Sequence, residues 1–206
     1  YKYTDPVRGE VYQPLAITPP VTANINTKAF VFNDDKLKTI SVKLKAFKAN
    51  AKGSLSIAVP KGWKITPEIV TFNLNSKDEE QTINFSLSAN SNAVNGVLKA
   101  KVLIGDETFE EGIKTIDYHH IPTITYFPKA EAKVVKLDLK STVKNIGYIV
   151  GAGDLLPESL AEIGLNVTLL SENDLINGNL KQYDAIIAGV RAYNVNDRLK
   201  FVQDKL

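Results

Sequence analysis

The sequence predicts a mixed, multidomain protein, in which an all-β domain is followed by a truncated α/β domain with a parallel sheet. Before about Lys140, short runs alternate between apolar and polar residues and are bounded by turn signals. From Asn145 onward, strand-like and helix-like segments alternate instead, which is typical of parallel strands joined by right-handed crossovers. The last of these segments predicts a helix over 196–206 that stops before it is complete. We therefore interpret the chain as an internal fragment of a larger protein.

The composition restricts the classes of function. The chain has 206 residues, of which 44% are hydrophobic, and this is enough for two modest domains with real cores. A net charge of +2, from 25 basic and 23 acidic residues mixed along the chain, does not favour nucleic acid or an acidic membrane as a partner. The longest apolar runs, over 146–150 and 185–190, are too short to span a bilayer. The absence of cysteine excludes disulfides, thiolate zinc sites and cysteine nucleophiles.

The β-domain is predicted from strictly alternating segments. Ile40, Val42 and Leu44 share one face of a strand over Lys38–Ala46, while the polar residues between them share the other face. Similar patterns predict further strands over 54–59, 82–88, 97–104 and 107–116. Roughly seven short strands separated by turns indicate an immunoglobulin-like β-sandwich.

The pattern divides the chain into four regions. Prolines and scattered polar residues predict an extended linker before the sandwich. A charged stretch with weak alternation over 134–139 follows the sandwich, and it is either a last edge strand or a tether. The predicted regions are a linker over 1–19, the sandwich over 20–126, a connector over 127–143 and the partial α/β domain over 144–206.

The α/β domain is predicted from three strands and the segments between them. The strands are expected over 145–150, 166–170 and 183–189. Pro157 fits the first turn of a helix that Gly164 ends. Ser171 is a candidate N-cap for a short second helix, which Gly178 interrupts.

Gly151 and Gly153 invite comparison with dinucleotide-binding loops. Such loops carry a third glycine, at the position that Leu156 holds here, and an acidic residue at the end of the second strand. The second predicted strand ends in two leucines and a serine instead. The two glycines are therefore interpreted as residues of a tight strand-to-helix turn.

A candidate binding rim is expected at the carboxyl ends of the first and third strands, because ligands of open parallel sheets bind there. If these strands are neighbours, their loops bring together a cation, an aromatic ring and free N–H groups, which suits a small anion or a cluster of sugar hydroxyls. The alternative, which we favour, is that Arg191 pairs with Asp154 and only ties the loops together. The candidate ligand-binding residues are Gly151, Gly153, Asp154, Arg191, Tyr193 and Asn194.

No catalytic or metal-binding residue is predicted. Asp117 and His119 share a face of an extended strand, but two ligands do not make a zinc site. No nucleophile with an accompanying base is apparent, so an independent enzyme is the least favoured class.

The sandwich segments over 59–65, 72–74, 83–89 and 96–97 resemble the NEW3 domain, an immunoglobulin-like module that occurs beside catalytic domains in bacterial carbohydrate-active enzymes. Trp63 lies in the first of them. It is either a core residue next to a turn, which we favour, or a ring that stacks on sugar.

Longer segments, over 147–160 and 183–194 with 3–10 and 118–122, resemble the C-terminal region of large bacterial PIG-L (LmbE-like) deacetylases, mainly from Bacteroidetes. The resemblance implies a sandwich followed by a flavodoxin- or glutamine-amidotransferase-like α/β domain. It also implies an N-terminal zinc deacetylase domain, whose His-Pro-Asp-Asp signature has no counterpart here, so zinc belongs only to that missing domain. The amidotransferase nucleophile, a cysteine, is likewise missing.

The resemblance implies a non-catalytic accessory fragment of a periplasmic or secreted deacetylase acting on N-acetylated sugars. The sandwich is then a spacer, and the α/β domain is a docking or ligand-sensing module. The expected partners are the remainder of the parent polypeptide and a glycan or small anion. The competing hypothesis is a carbohydrate-binding module whose exposed aromatic rings contact glycan.

Overall fold

The structure is a computed structural model that describes residues 1–7, 9–12, 14–118 and 120–205. Its contacts divide the chain into two compact units. One contains residues 1–30 and 35–135, and the other contains residues 31–34 and the residues from 136 onward. Among the described residues, no helix has the length and apolar character needed to cross a membrane.

Up to residue 144, all regular elements of the described residues are strands. They are β1 Lys2–Asp5, β2 Gly9–Tyr12, β3 Val21–Ile25, β4 Ala29–Phe32, β5 Lys38–Ala46, β6 Ala51–Ala58, β7 Trp63–Thr66, β8 Ile69–Leu74, β9 Glu80–Ala89, β10 Gly96–Ile104, β11 Glu107–Phe109, β12 Lys114–Ile116, β13 Ile124–Tyr126 and β14 Glu131–Lys136.

Two antiparallel sheets form the sandwich, which confirms the predicted architecture. One has the order β3-β5-β9-β7 and the other has the order β4-β14-β10-β6-β8. These orders contain the A-B-E-D and G-F-C arrangements of an immunoglobulin-type sandwich. Alternation places one face of each strand in the core: Ile40, Val42 and Leu44 are fully buried, as their spacing predicts.

The end of the sandwich differs from the prediction. The strand expected over 107–116 is divided, because only Glu107–Phe109 pairs with β10 before the chain leaves for the β12–β13 hairpin. The chain then returns as β14, which lies between β4 and β10. This strand falls in the predicted connector over 127–143, so the connector is corrected: its first part is an interior strand with Ala132 and Val134 buried.

The predicted linker over 1–19 also contains paired structure. Strands β1 and β2 form an antiparallel hairpin, with Lys2 opposite Tyr12 and Thr4 opposite Glu10. Both strands are almost entirely exposed, which explains why the linker composition did not reveal them.

The second unit contains a parallel sheet. Its elements are β15 Asn145–Ile149, α1 Leu156–Glu162, β16 Asn166–Leu170, α2 Glu172–Asn177, β17 Ala185–Ala188 and α3 Ala192–Val195. The sheet order is β16-β15-β17, and both pairings are parallel. A buried cluster formed by Ile149, Leu170, Leu175, Ala192, Leu199 and Val202 packs beside it.

The residues predicted to begin and end the helices of this unit lie at the helix ends in the structure. Pro157 lies in the first turn of α1, and Gly164, which follows the helix, has φ of +94°. Ser171 caps α2 in a reciprocal box with Asp174, since each side chain accepts the other residue's backbone N–H. The final helix expected over 196–206 is wrong: the chain forms short 3₁₀ turns over Asp197–Phe201 and Gln203–Lys205.

Candidate functional site

The loops that follow β15 and β17 meet at the carboxyl edge of the parallel sheet. The two strands are neighbours, which was the condition for the predicted rim. The N–H of Ala152 donates to the carbonyl of Val190 at 2.8 Å. A Cβ on Gly151 would lie 2.1 Å from that carbonyl oxygen, so only glycine allows the loops to approach this closely. The close approach of the two loops therefore explains the glycine at position 151 without a bound nucleotide.

Asp154 holds this edge together. The phenol of Tyr148 donates to its two carboxylate oxygens at 2.6 and 2.8 Å, and the N–H groups of Val190 and Leu156 donate at 3.1 Å each. The Tyr148 and backbone hydrogen bonds lower the pKa of Asp154, because they stabilise the carboxylate. The bond to Asp154, together with burial, raises the pKa of Tyr148 to about 12. The Asp154 carboxylate is thus already hydrogen-bonded to Tyr148, Val190 and Leu156.

Arg191 does not make the predicted tie. Within the described part of the chain, no ion pair joins Arg191 to Asp154, and the carboxylate binds Tyr148 and Val190 in its place. Arg191 is exposed and has a left-handed backbone with φ of +56° at the start of α3. The alternative in which Arg191 ties the loops is corrected: the loops are joined by Asp154 and by the backbone hydrogen bond from Ala152 to Val190.

The other rim residues, Gly153, Tyr193 and Asn194, are exposed in the same two loops. Tyr193 and Asn194 are exposed on α3, a helix of only four residues. Gly153 has φ of +94° and open space around it. The rim thus presents a guanidinium, a phenol and an amide outward, beside an internally bonded carboxylate.

Sequence reasoning missed Tyr148 and Val190. The sequence predicts Tyr148 only as one residue of the strand over 145–150, and in the structure its side chain is 1% exposed. A buried tyrosine hydroxyl needs a polar partner, and Asp154 six residues later was the available signal. The backbone N–H of Val190 has no sequence signal, because every residue except proline carries one.

Trp63 does not serve as a sugar platform. Its side chain is 7% exposed, and its indole N–H donates to the carbonyl of Val94 at 2.8 Å. The neighbouring turn packs closely, since the N–H of Asn90 donates to the carbonyl of Gly62. Trp63 is therefore a core residue, as favoured from the sequence.

The pair considered for metal binding gains no support. Asp117 accepts a hydrogen bond from the hydroxyl of Thr123 at 3.0 Å. His119 lies outside the described residues. Elsewhere in the described chain, no three His, Asp or Glu side chains are grouped so that they could hold a metal ion.

No family model matches the sequence, and no curated protein matches it. Salmonella alpha-2-macroglobulin reacted with methylamine aligns with TM-score 0.39 and 11% identity, over 62% of this chain and 8% of its own. WR4, an MSP family member from C. elegans, aligns with TM-score 0.32 and 6% identity, over 56% of this chain and 98% of its own. The CARDB domain of a Pyrococcus furiosus protein, in complex with di-metal ions, aligns with TM-score 0.31 and 14% identity, over 57% and 94%. Likenesses at this level carry no inference about function.

Proposed function

We propose that this chain is a non-catalytic accessory region of a zinc-dependent deacetylase of the PIG-L type, acting on N-acetylated sugars in the periplasm or outside the cell. The sandwich is a NEW3-type spacer, and the parallel-sheet unit is a docking or ligand-sensing module. The sequence segments that resemble those proteins support this proposal. The strand order β16-β15-β17 also supports it, because it is the 2-1-3 start of the flavodoxin-like order.

One observation carries the ligand-sensing part of the proposal: Arg191 stands exposed at the rim without Asp154 as its partner. A guanidinium in this position can form paired hydrogen bonds to a carboxylate or phosphate. Tyr193 and Asn194 add a phenol and an amide for sugar hydroxyls. The ligand class is therefore a small anion or a sugar that presents several hydroxyls.

The ligand-sensing role is tested by amide NMR on the whole chain, titrated separately with acetate, inorganic phosphate and N-acetylglucosamine. We expect saturable shifts at Gly151, Gly153 and residues 191–194 with at least one of these probes. Arg191→Ala should abolish the shifts, whereas Arg198→Ala, which removes the same charge from an exposed position of the same unit, should keep them. Absence of saturable shifts with all three probes would refute the role.

The parent assignment is tested separately. The reading frame that encodes this chain should also encode a domain with the His-Pro-Asp-Asp zinc signature. The chain alone should not release acetate from N-acetylglucosamine derivatives, and the protein with that domain should release it. A reading frame without the signature would overturn the deacetylase assignment and would leave the rim's binding role to the NMR test.

A further inference from the structure

The N-terminal segment of the first unit lies along an open groove with aromatic walls. Tyr1, Lys2, Tyr12, Pro14 and Pro122 line a space of about 440 Å³. A space of this size holds one or two sugar rings or a ligand of similar volume. The groove belongs to the first unit alone, because all five residues lie in it.

The tyrosine rings in this region are accessible. Tyr1 and Tyr12 are each 67% exposed, far more than the buried Trp63. The ring of Tyr1 stacks on that of Tyr3 with centroids 5.9 Å apart. Such stacking groups two aromatic rings on one exposed surface, and apolar side chains grouped in this way are more informative than apolar residues exposed singly.

The groove continues past Pro14. A second space of about 330 Å³ shares that proline and is bordered by Leu15, Ile17, Thr123 and Thr125. Leu15 and Ile17 are more than four-fifths exposed. The two spaces adjoin at Pro14, and together they have room for a ligand of several linked units.

The charge of the groove is nearly balanced. Among the described lining residues, Lys2 alone is charged, and its ammonium group lies 2.7 Å from a carboxylate oxygen of Glu10. The same ammonium lies 5.5 Å from the ring centroid of Tyr12. A balanced site favours a neutral ligand over an anion or a cation.

We propose that this groove binds a neutral oligosaccharide, with pyranose rings on Tyr1 and Tyr12 and further units toward Pro14. Pyranose rings present apolar C–H faces to aromatic side chains and hydroxyls to polar groups at their edges. Glu10, Thr123 and Thr125 supply such polar groups beside the apolar walls. This inference does not rest on the rim of the second unit, so either site stands if the other fails.

The proposal is tested by NMR titration of the whole chain with chitohexaose, cellohexaose and a proline-rich peptide of similar length. We expect one of the two oligosaccharides to cause saturable shifts in residues 1–17 and 120–127. Its affinity should change by less than about twofold between low and high salt, as for a neutral ligand. Shifts caused only by the peptide, or an affinity that falls steeply with salt, would overturn the proposal.

Two single substitutions test whether the oligosaccharide binds in this groove. Tyr12→Ala should raise the dissociation constant by at least about fivefold, because it removes a stacking ring. Tyr126→Ala is the matched control, since alternation along β13 turns this tyrosine away from the side of Thr125, and it should change affinity by less than about twofold. Unchanged sandwich amides over 38–104 in the Tyr12→Ala spectrum establish that the variant is folded. A folded Tyr12→Ala variant that binds as tightly as the unaltered chain would contradict the proposal.

Discussion

The phenol of Tyr148 donates to both carboxylate oxygens of Asp154, at 2.6 and 2.8 Å. Tyr148 belongs to the central strand of the parallel sheet, and Asp154 lies in the loop that follows it. Asp154 also accepts the N–H of Val190 in the loop after β17. This pair therefore joins the central strand to both loops of the candidate rim, and it leaves Arg191 outside the network.

Tyr148 should ionise late in an alkaline titration. Its pKa is raised to about 12 in the folded state, so its stabilising effect is complete below the ordinary value of 10 and is lost as the pH rises through about 12. Tyr148→Phe should remove this late step from the tyrosinate absorbance titration and lower the melting temperature at pH 7. A difference between the two chains centred near pH 10 would contradict the hydrogen bond.

Asp184 should contribute to acid sensitivity. Its carboxylate accepts the N–H groups of Asn145 and Lys144, at 2.8 and 2.7 Å, and these bonds lower its pKa in the folded state. The stability it provides is therefore complete above the ordinary value of 3.8 and is lost as the pH falls through the lower folded value.

We expect Asp184→Asn to lose less stability than the unaltered chain when the pH is lowered from about 5 to about 2, as followed by urea unfolding. Asp204→Asn, at an exposed position, is the control and should follow the unaltered chain. Parallel acid curves for Asp184→Asn and the unaltered chain would show that the carboxylate has no such role.

Gly151 and Gly153 should respond differently to substitution by alanine. Gly153 has open space and a positive φ, so Gly153→Ala costs only backbone strain, about 1–2 kcal/mol. Gly151→Ala places a methyl group against the backbone carbonyl of Val190 and should cost more, because the two loops must separate. Chemical unfolding measures both values. Equal costs would mean that the loops do not approach as described.

Replacing Thr22 by valine should increase the stability of the protein. Thr22 is fully buried in β3, and its hydroxyl has no hydrogen-bond partner among the described residues. Thr22→Val keeps the shape and removes the unpaired hydroxyl, so we expect a gain in unfolding free energy of about 1 kcal/mol. Thr39→Val, at an exposed position of β5, is the control with little expected change. A loss of stability in Thr22→Val would show that its hydroxyl is satisfied in solution.

The elements that could be predicted were those whose pattern is set by burial on one face. Strand β5 was predicted with both ends correct, because its alternation is strict. Strand β14 falls in the predicted connector, whose pattern allows either an edge strand or a tether, since only Ala132 and Val134 mark its buried face. The hairpin β1–β2 could not be predicted, because both of its strands are exposed and exposed strands need no alternation of apolar and polar residues. The final helix failed because Leu199 and Val202 are spaced equally well for 3₁₀ turns that bury them.

The candidate rim was predictable in position but not in its bonding. The rule for parallel sheets located Asp154 and Arg191 at the same edge, once β15 and β17 are neighbours. Which of the available donors the carboxylate takes depends on side-chain directions and distances of a few tenths of an ångström. The hydroxyl of Tyr148 and the backbone N–H of Val190 donate to the Asp154 carboxylate. This arrangement depends on the folded conformation of the loops.

The proposed function requires that Arg191 is available to a ligand and does not serve as a structural tie. The most direct measurement compares Arg191→Ala with the unaltered chain in ligand-free thermal unfolding and in calorimetric titration with whichever of acetate, phosphate or N-acetylglucosamine binds. We predict an unchanged melting temperature in the absence of ligand and loss of the binding signal. A lower melting temperature without ligand, or binding that persists in Arg191→Ala, would contradict the claim.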